Sequence, residues 1–513
     1  MTRPGATPNV VTVLPLVAAA MSVVLMLLLN TVPLSSNDLW LQLKIGQMTL
    51  DSGSIPQTIL FPFTAVRDNL FTAHEWLPSI VFFELSRLIG AERLMFVQGA
   101  LGLVQFGLSY LLARRLSGSV GCGLLMATLA MVVANYRYVL RPEIIALILL
   151  VSLLIVLTHY RQHKRLAILV WTVPIGLVWA NSHGSFLLGP TIAAVFALGE
   201  GAQAALQARG VATIKRLKAG LRVGAPYCAV VIAMLLASVV NPRGPSLLRF
   251  AFDVQASTAM QTLIKEWLPT FHPLFMIEPA FWIFVLVGLA SLAMIATLWR
   301  ELTVTDALLL LLFLGLALQR NRHIVWFGFV AMAVCANLVG SARAAKDREG
   351  PLQGAALTVA VLSIAMCLVF GNARRAFPFE SPSSNFSEAM IAELAKPEVR
   401  GNVYNSYELG SELIYRDWPR LKPTIDSRID SYGDDYFMFT RQMLVNEHLM
   451  TMFLSEYGVN HMLLLRRDFD NRVRQMPSLA NTWHVRLADA RMMLLERNVP
   501  LPASPTTDAP ENQ

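Results

Sequence analysis

Three carboxylates stand where chemistry is plausible: Asp38, Glu75 and Glu143. Asp38 comes a few residues after the first long apolar run. Glu75 lies in His74-Glu75-Trp76-Leu77, within the loop that follows, and Glu143 opens another apolar run in Arg141-Pro142-Glu143. Carboxylates in such places can take a proton from a hydroxyl within hydrogen-bond reach. Five arginines, Arg137, Arg141, Arg243, Arg320 and Arg322, also stand beside the ends of apolar runs. Guanidinium forks match phosphate oxygens, so this group points to an anionic ligand such as a lipid phosphate or pyrophosphate.

The elements that must hold these residues are set by composition. The chain has 513 residues, 55% hydrophobic and only 15% charged, against about 25% charged in soluble domains. An ordinary soluble enzyme, a disordered chain and a disulfide scaffold are excluded. The four cysteines, Cys122, Cys228, Cys335 and Cys367, all lie in apolar runs without metal-ligand spacing. That argues against disulfides and a structural zinc. About eleven runs reach the length a membrane helix needs. They lie near 10–34, 91–113, 119–136, 142–159, 166–181, 185–206, 224–240, 278–299, 303–318, 324–341 and 354–371. The first is expected to be a retained span rather than a cleaved signal peptide.

Charge sets the expected orientation. The net charge is +8, and much of it falls in every second loop: Arg114 and Arg115; Arg161, Lys164 and Arg165; Arg209 to Arg222; Arg300; Arg343 to Arg348. Basic loops face the cytoplasm, so the N-terminus, with Arg3, is expected inside and the C-terminal segment outside. The five arginines named first run against this trend, on the outer side. The positive charge is therefore assigned to topology and an anionic ligand, and nucleic acid is not expected as a partner.

The expected architecture is a polytopic all-α bundle with surface helices in the first outer loop and a small C-terminal α/β domain. Its domains are a membrane domain over 1–371, with the loop at 35–90, an outer domain over 372–499 and a disordered tail over 500–513. In the first loop, Leu39 to Ile45 mix apolar with polar residues, including Trp40 and Lys44, as a segment on a membrane surface does. Gly53 and Pro56 break it. A second short helix is expected from about Trp76 to Gly90. In the outer domain, GNVYNSY and GVNHMLLL are expected strands, and ELGSELIYR and Tyr436 to Leu454 are expected helical.

The order of these features resembles the GT-C glycosyltransferases, which include the lipid A aminoarabinose transferases and the protein O-mannosyltransferases. It is similar also to an uncharacterised bacterial multi-span group within that superfamily. The residues that carry the resemblance are Asp38-Leu39-Trp40 with Gly46, His74 to Leu77, Arg141 to Glu143, Trp179 to Gly184 and Asn241 to Gly244, with GNVYNSYELG and IDSRID in the outer domain. The resemblance implies an inner-membrane enzyme that takes a sugar from a polyprenyl-phosphate carrier and transfers it, with inversion, to a glycan, lipid or protein acceptor on the outer face. It implies that the acidic residue after the first span, Asp38, is the base or positions the acceptor. Many relatives carry a paired acidic motif there. Here Asn37 and Leu39 flank Asp38, so Glu75 and Glu143 are the candidates for the second carboxylate. A divalent cation such as Mg²⁺ or Mn²⁺ is left open, and no cage of oxygen ligands is visible.

Trp40, Lys44, His74, Trp76, Arg137, Arg141, Asn181, His183, Arg243, Glu266, Trp267, Arg320, Arg322 and His323 complete the candidate substrate-binding set. Each also has a plainer reading. Asp38 could be a helix N-cap. His74-Glu75-Trp76 could anchor at the headgroups. Arg141 and Glu143 could simply pair, as ionisable groups at span ends do. Asn181 and His183 could belong to a turn at Gly184. Glu266 and Trp267 could wall a sugar ring or sit as an interfacial anchor. Asp426, Arg428 and Asp430 could form an acceptor-binding edge or a salt-bridged turn. Two other functions fit the same residues: a flippase for a lipid-linked sugar, and a scaffold of a polysaccharide assembly complex.

Overall fold

The computed structural model describes residues 10–32, 34, 36–71, 73–208, 212–345, 353–376 and 386–502. Most of the tail expected from residue 500 onward lies outside them, as does Arg3. The chain divides into two compact units. One comprises Met1–Val32, Met95–Pro245 and Ile264–Ser381, and the other Pro33–Leu94, Ser246–Leu263 and Pro382–Gln513.

The first unit is helical, and each of the eleven apolar runs lies on helix. Among the described residues, eight helices are long and apolar enough to cross a membrane, from Val13–Asn30 to Asn321–Ala345. Three apolar helices are shorter: Leu166–Ala180, Val304–Gln319 and Leu357–Cys367. The first of these opens on a 3₁₀ segment, Leu166–Trp171. The second is stopped at its start by Thr303, whose hydroxyl accepts from the Asp306 amide at 3.2 Å. The chain is a multi-pass membrane protein.

Helices Leu188–Gln207 and Thr213–Val239 lie close enough for backbone contact. A Cβ on Gly201 would sit 3.0 Å from the Gly220 carbonyl oxygen, and one on Gly220 would sit 2.8 Å from that of Gly201. Small residues permit such approach where lipid supplies no hydrophobic drive between helices. A buried polar knot ties four helices at another place. Arg161 meets Glu200 at 3.0 Å and Asp306 at 3.3 Å, Thr305 donates to Glu200 at 2.7 Å, and Asn337 donates to Asp306 at 2.8 Å.

The second unit is built on a five-stranded sheet. Its strands are β1 Gly401–Asn405, β2 Leu421–Pro423, β3 His461–Leu465, β4 Trp483–Ala488 and β5 Met492–Arg497, in the order β2-β1-β3-β5-β4. β1 runs parallel to β2 and β3, while β5 is antiparallel to β3 and β4. The expected strands are β1 and β3, and helix Gly410–Asp417 follows β1 as expected. Residues 436–454 form two helices, Asp434–Met443 and Glu447–Glu456.

The side chains alternate with period two. Tyr404, Met462, Leu464, Met493 and Leu495 enter one core with Met443, Met450 and Phe453. Val403, Leu463, Leu465, Met492 and Leu494 enter another with Met390, Leu394 and Leu413. A third cluster joins Leu41 and Ile45 to Phe61, Phe71, Ala73 and Ile414. Residues far apart in sequence thus share one core.

Candidate active site

The helix bearing Asp38 is Asn37–Ser52, ended by Gly53 in a left-handed conformation at φ 68°. Its N-cap is Ser36, and Asp38 stands in the first turn. Asp38 therefore lies two residues past the N-cap position. A carboxylate in the first turn also meets the positive end of the helix dipole.

The second short helix is Trp76–Ile89, with Gly90 after it, matching the expected bounds. It packs on the first helix through Gly46, where any Cβ would fall 2.2 Å from the Ser79 carbonyl oxygen. Two turns separate Asp38 from Gly46, and Gln42 lies midway on the same face. Gln42 donates to Glu75 at 2.5 Å, and its amide oxygen accepts from the Ser79 hydroxyl. His74 Nε2 lies 3.6 Å from Glu75 Oε1, and the His74 ring meets Phe250 at 4.9 Å. Gly46 therefore brings Glu75 to the helix face that carries Asp38.

Trp40 and Lys44 point to the C-terminal segment. Trp40 packs on Tyr415 at 5.2 Å and under the Arg416 guanidinium. Lys44 lies 5.5 Å from the Trp418 ring and 3.5 Å from its carbonyl oxygen. Burial lowers the Lys44 ammonium, with Asp51 opposing. Trp76 is half-buried against the Leu41–Ile45 cluster.

In the first unit the charged candidates converge on two carboxylates. Arg137 donates to Glu143 at 2.7 Å and to Glu266 at 2.5 Å. Arg141 reaches Glu266 at 3.4 Å and Arg322 reaches it at 3.8 Å. Burial alone would raise the Glu266 carboxyl, but Arg137, Arg322 and Arg141 overcome that and hold it well below the usual carboxylate range. Three guanidiniums thus gather around Glu266, and one of them also holds Glu143. Glu143 is 4% exposed, and its Oε1 and His323 Nδ1 have no hydrogen-bond partner among the described residues.

Trp267 is 2% exposed and the Arg322 guanidinium covers its ring at 4.5 Å. It supports the arginine. Arg320 donates to the Trp267 carbonyl at 3.0 Å. Asn181 donates to the Leu177 and Val240 carbonyls at 2.9 and 2.8 Å, and its oxygen accepts from Asn241 at 3.0 Å. Asn181 thus ties WANSHGS to the NPRG turn. His183 Nδ1 lies 2.7 Å from the Ser185 hydroxyl, and its ring stacks on Trp326 at 6.4 Å. Arg243 is half-buried in the NPRG turn, where its amide donates to Asn241 at 2.9 Å. Burial lowers its guanidinium.

In IDSRID the structure shows a salt-bridged turn made by Arg428 and Asp426, while the Asp430 side chain lies outside the described residues. Arg428 grips the fully buried Asp426 at 3.0 and 2.6 Å, Tyr432 donates to the same carboxylate at 2.9 Å, and Phe61 and Phe71 flank the guanidinium. Gln42, Ser79 and Phe250 were not singled out from sequence. Gln42 alone had a local signal, four residues after Asp38 on a helix. Among the described residues, no three His, Cys, Asp or Glu side chains group so as to hold a metal ion.

No protein-family model matches the sequence, and no curated protein matches it. Solved structures do match. The Archaeoglobus fulgidus oligosaccharyltransferase in the apo form aligns with a TM-score of 0.54 at 13% identity, over 91% of this chain and 70% of that one. The same enzyme tethered to an acceptor peptide containing the NVT sequon gives 0.56 at 14% identity, over 92% and 72%. ArnT from Cupriavidus metallidurans in the apo state gives 0.52 at 15% identity, over 94% and 97%. The chain has the fold of the GT-C glycosyltransferases.

Proposed function

We propose that the chain is a glycosyltransferase of the bacterial inner membrane. It moves a sugar from a polyprenyl-phosphate carrier to a glycan, lipid or protein acceptor on the outer face, where the first loop and the C-terminal domain stand. The archaeal oligosaccharyltransferase has been solved with a dolichol-phosphate and an inhibitory peptide, which supports a lipid-linked donor. The observation that carries the reading is the place of Asp38. Within a fold shared with glycosyltransferases, it stands in the first turn of the helix after the first span, on the face to which Gly46 admits Glu75.

In the proposed reaction the acceptor oxygen attacks the anomeric carbon and its proton passes to Asp38. The bond from that carbon to the phosphate oxygen breaks, and the lipid phosphate leaves with the electron pair. Attack opposite the leaving group inverts the anomeric centre. Separately, Arg137, Arg141 and Arg322 of the first unit are proposed to bind a lipid phosphate through their guanidinium forks. The test is transfer in vesicles supplied with polyprenyl-phosphate sugars and an envelope acceptor. Asp38→Asn is expected to lose at least about a hundredfold in turnover while remaining folded. Wild-type turnover in that variant would remove Asp38 from the mechanism.

A further inference from the structure

Residues 246–263 contribute two short helices, Ser246–Ala256 and Thr258–Leu263, to the second unit. Apolar burial holds this segment weakly, since only Leu247 and Ala259 in it are buried. Polar contacts take over at one end. Asp434 Oδ1 accepts from the Ser257 hydroxyl at 2.6 Å, and its Oδ2 accepts from the Thr258 and Ala259 amides at 2.7 and 3.1 Å. One carboxylate of the C-terminal domain thus satisfies the first amides of helix Thr258–Leu263. Earlier in the segment, Phe250 lies against the His74 ring at 4.9 Å and an interplanar angle of 44°. His74 in turn stands 3.6 Å from Glu75, which Gln42 holds on the Asp38 face.

We propose that Phe250 is a positioning residue for the His74–Glu75 pair, and that Asp434 clamps the segment that presents it. The proposal rests on the reading of Asp38 and Glu75 as the reacting site. The Phe250 ring, tilted at 44° against the imidazole, limits its rotation, which keeps Nε2 turned to Glu75. A carboxylate so oriented is held ready before substrate arrives, and small losses of orientation are costly to rate.

Two measurements on the full-length protein test this. The first is amide hydrogen exchange, which needs no donor. Asp434→Ala is expected to speed exchange by at least about fivefold in 258–263 and also in 73–79. Asp434→Asn, which keeps one acceptor oxygen, falls between. Phe250→Leu is expected to speed exchange in 73–79 while 258–263 stays protected, and Phe250→Tyr to restore it. A response confined to 258–263 in Asp434→Ala, or none at 73–79 in Phe250→Leu, overturns the proposal.

The second is the transfer assay. Phe250→Leu is expected to lower kcat by about tenfold with the donor KM within about twofold, and Phe250→Tyr to stay near wild type. Equal kcat in the leucine variant and wild type, or equal damage from leucine and tyrosine, also overturns it. If Asp38→Asn keeps full activity, the site reading fails on its own, and the exchange data still decide whether Phe250 and Asp434 order His74.

Discussion

Gly46 has no room for a side chain, because the Ser79 carbonyl oxygen occupies the place where its Cβ would stand. The helix carrying Asp38 and the helix following Glu75 meet at this point. Gly46→Ala must push them apart or bend one of them. The expected result is a loss of about 1–3 kcal/mol in stability, as for other overpacked contacts, with a larger proportional loss of turnover because Gln42 no longer reaches Glu75. Thermal unfolding and the transfer assay on one preparation check this. An unchanged melting temperature would show that the contact is loose.

Glu266 holds three arginines. Glu266→Gln removes the carboxylate that Arg137, Arg141 and Arg322 all approach. The expected cost is about 2 kcal/mol, below the roughly 3–5 kcal/mol of a broken, fully buried pair, because its side chain is 28% exposed. The melting temperature in detergent is the measurement, and no shift would mean the cluster relaxes around the neutral amide.

Arg161 bridges Glu200 and Asp306 across three helices. Arg161→Leu is expected to destabilise the protein by about 3 kcal/mol, since it leaves the buried Asp306 and the partly buried Glu200 without their shared cation. Adding Glu200→Gln and Asp306→Asn should recover most of the loss. A triple variant no better than the single one would locate the damage in packing instead of charge.

His461 on β3 is buried, and its Nε2 stands 3.8 Å from Glu496. Burial lowers its proton affinity below the ordinary 6.5, with Glu496 opposing and Arg486 assisting. The unfolded chain therefore binds this proton first as pH falls. The stability linked to His461 is complete above about pH 6.5 and declines below it, towards the lower folded value. Melting temperatures taken from about pH 8 to pH 5 should fall less steeply in His461→Leu than in wild type. Identical slopes would assign the acid sensitivity to other groups.

The membrane body was legible because twenty apolar residues in a row need no partner to be recognised. Trp76–Ile89 was equally clear, framed by Pro78 near its start and Gly90 at its end. Less could be read of the site. Nothing local marks Glu266 as the residue that gathers Arg137, Arg141 and Arg322, since the arginines come from distant segments. Arg137, six residues before Glu143 and not paired with it from the sequence, donates to it at 2.7 Å. Strands β4 and β5 were not expected. β4 alternates weakly and β5 is a short run of buried residues, MMLL, which suits strand and helix alike.

The core shared by Leu41, Ile45 and Ile414 bears on the order of events during synthesis. The first loop leaves the ribosome early, but its apolar face has no native cover until the chain has reached Ile414. At typical elongation rates that interval is on the order of tens of seconds. Throughout it, Leu41, Ile45, Phe61 and Phe71 must be sheltered by lipid, by the insertion machinery or by a chaperone. Truncation before Ile414 is therefore expected to yield an inserted bundle whose first loop is a target for proteolysis.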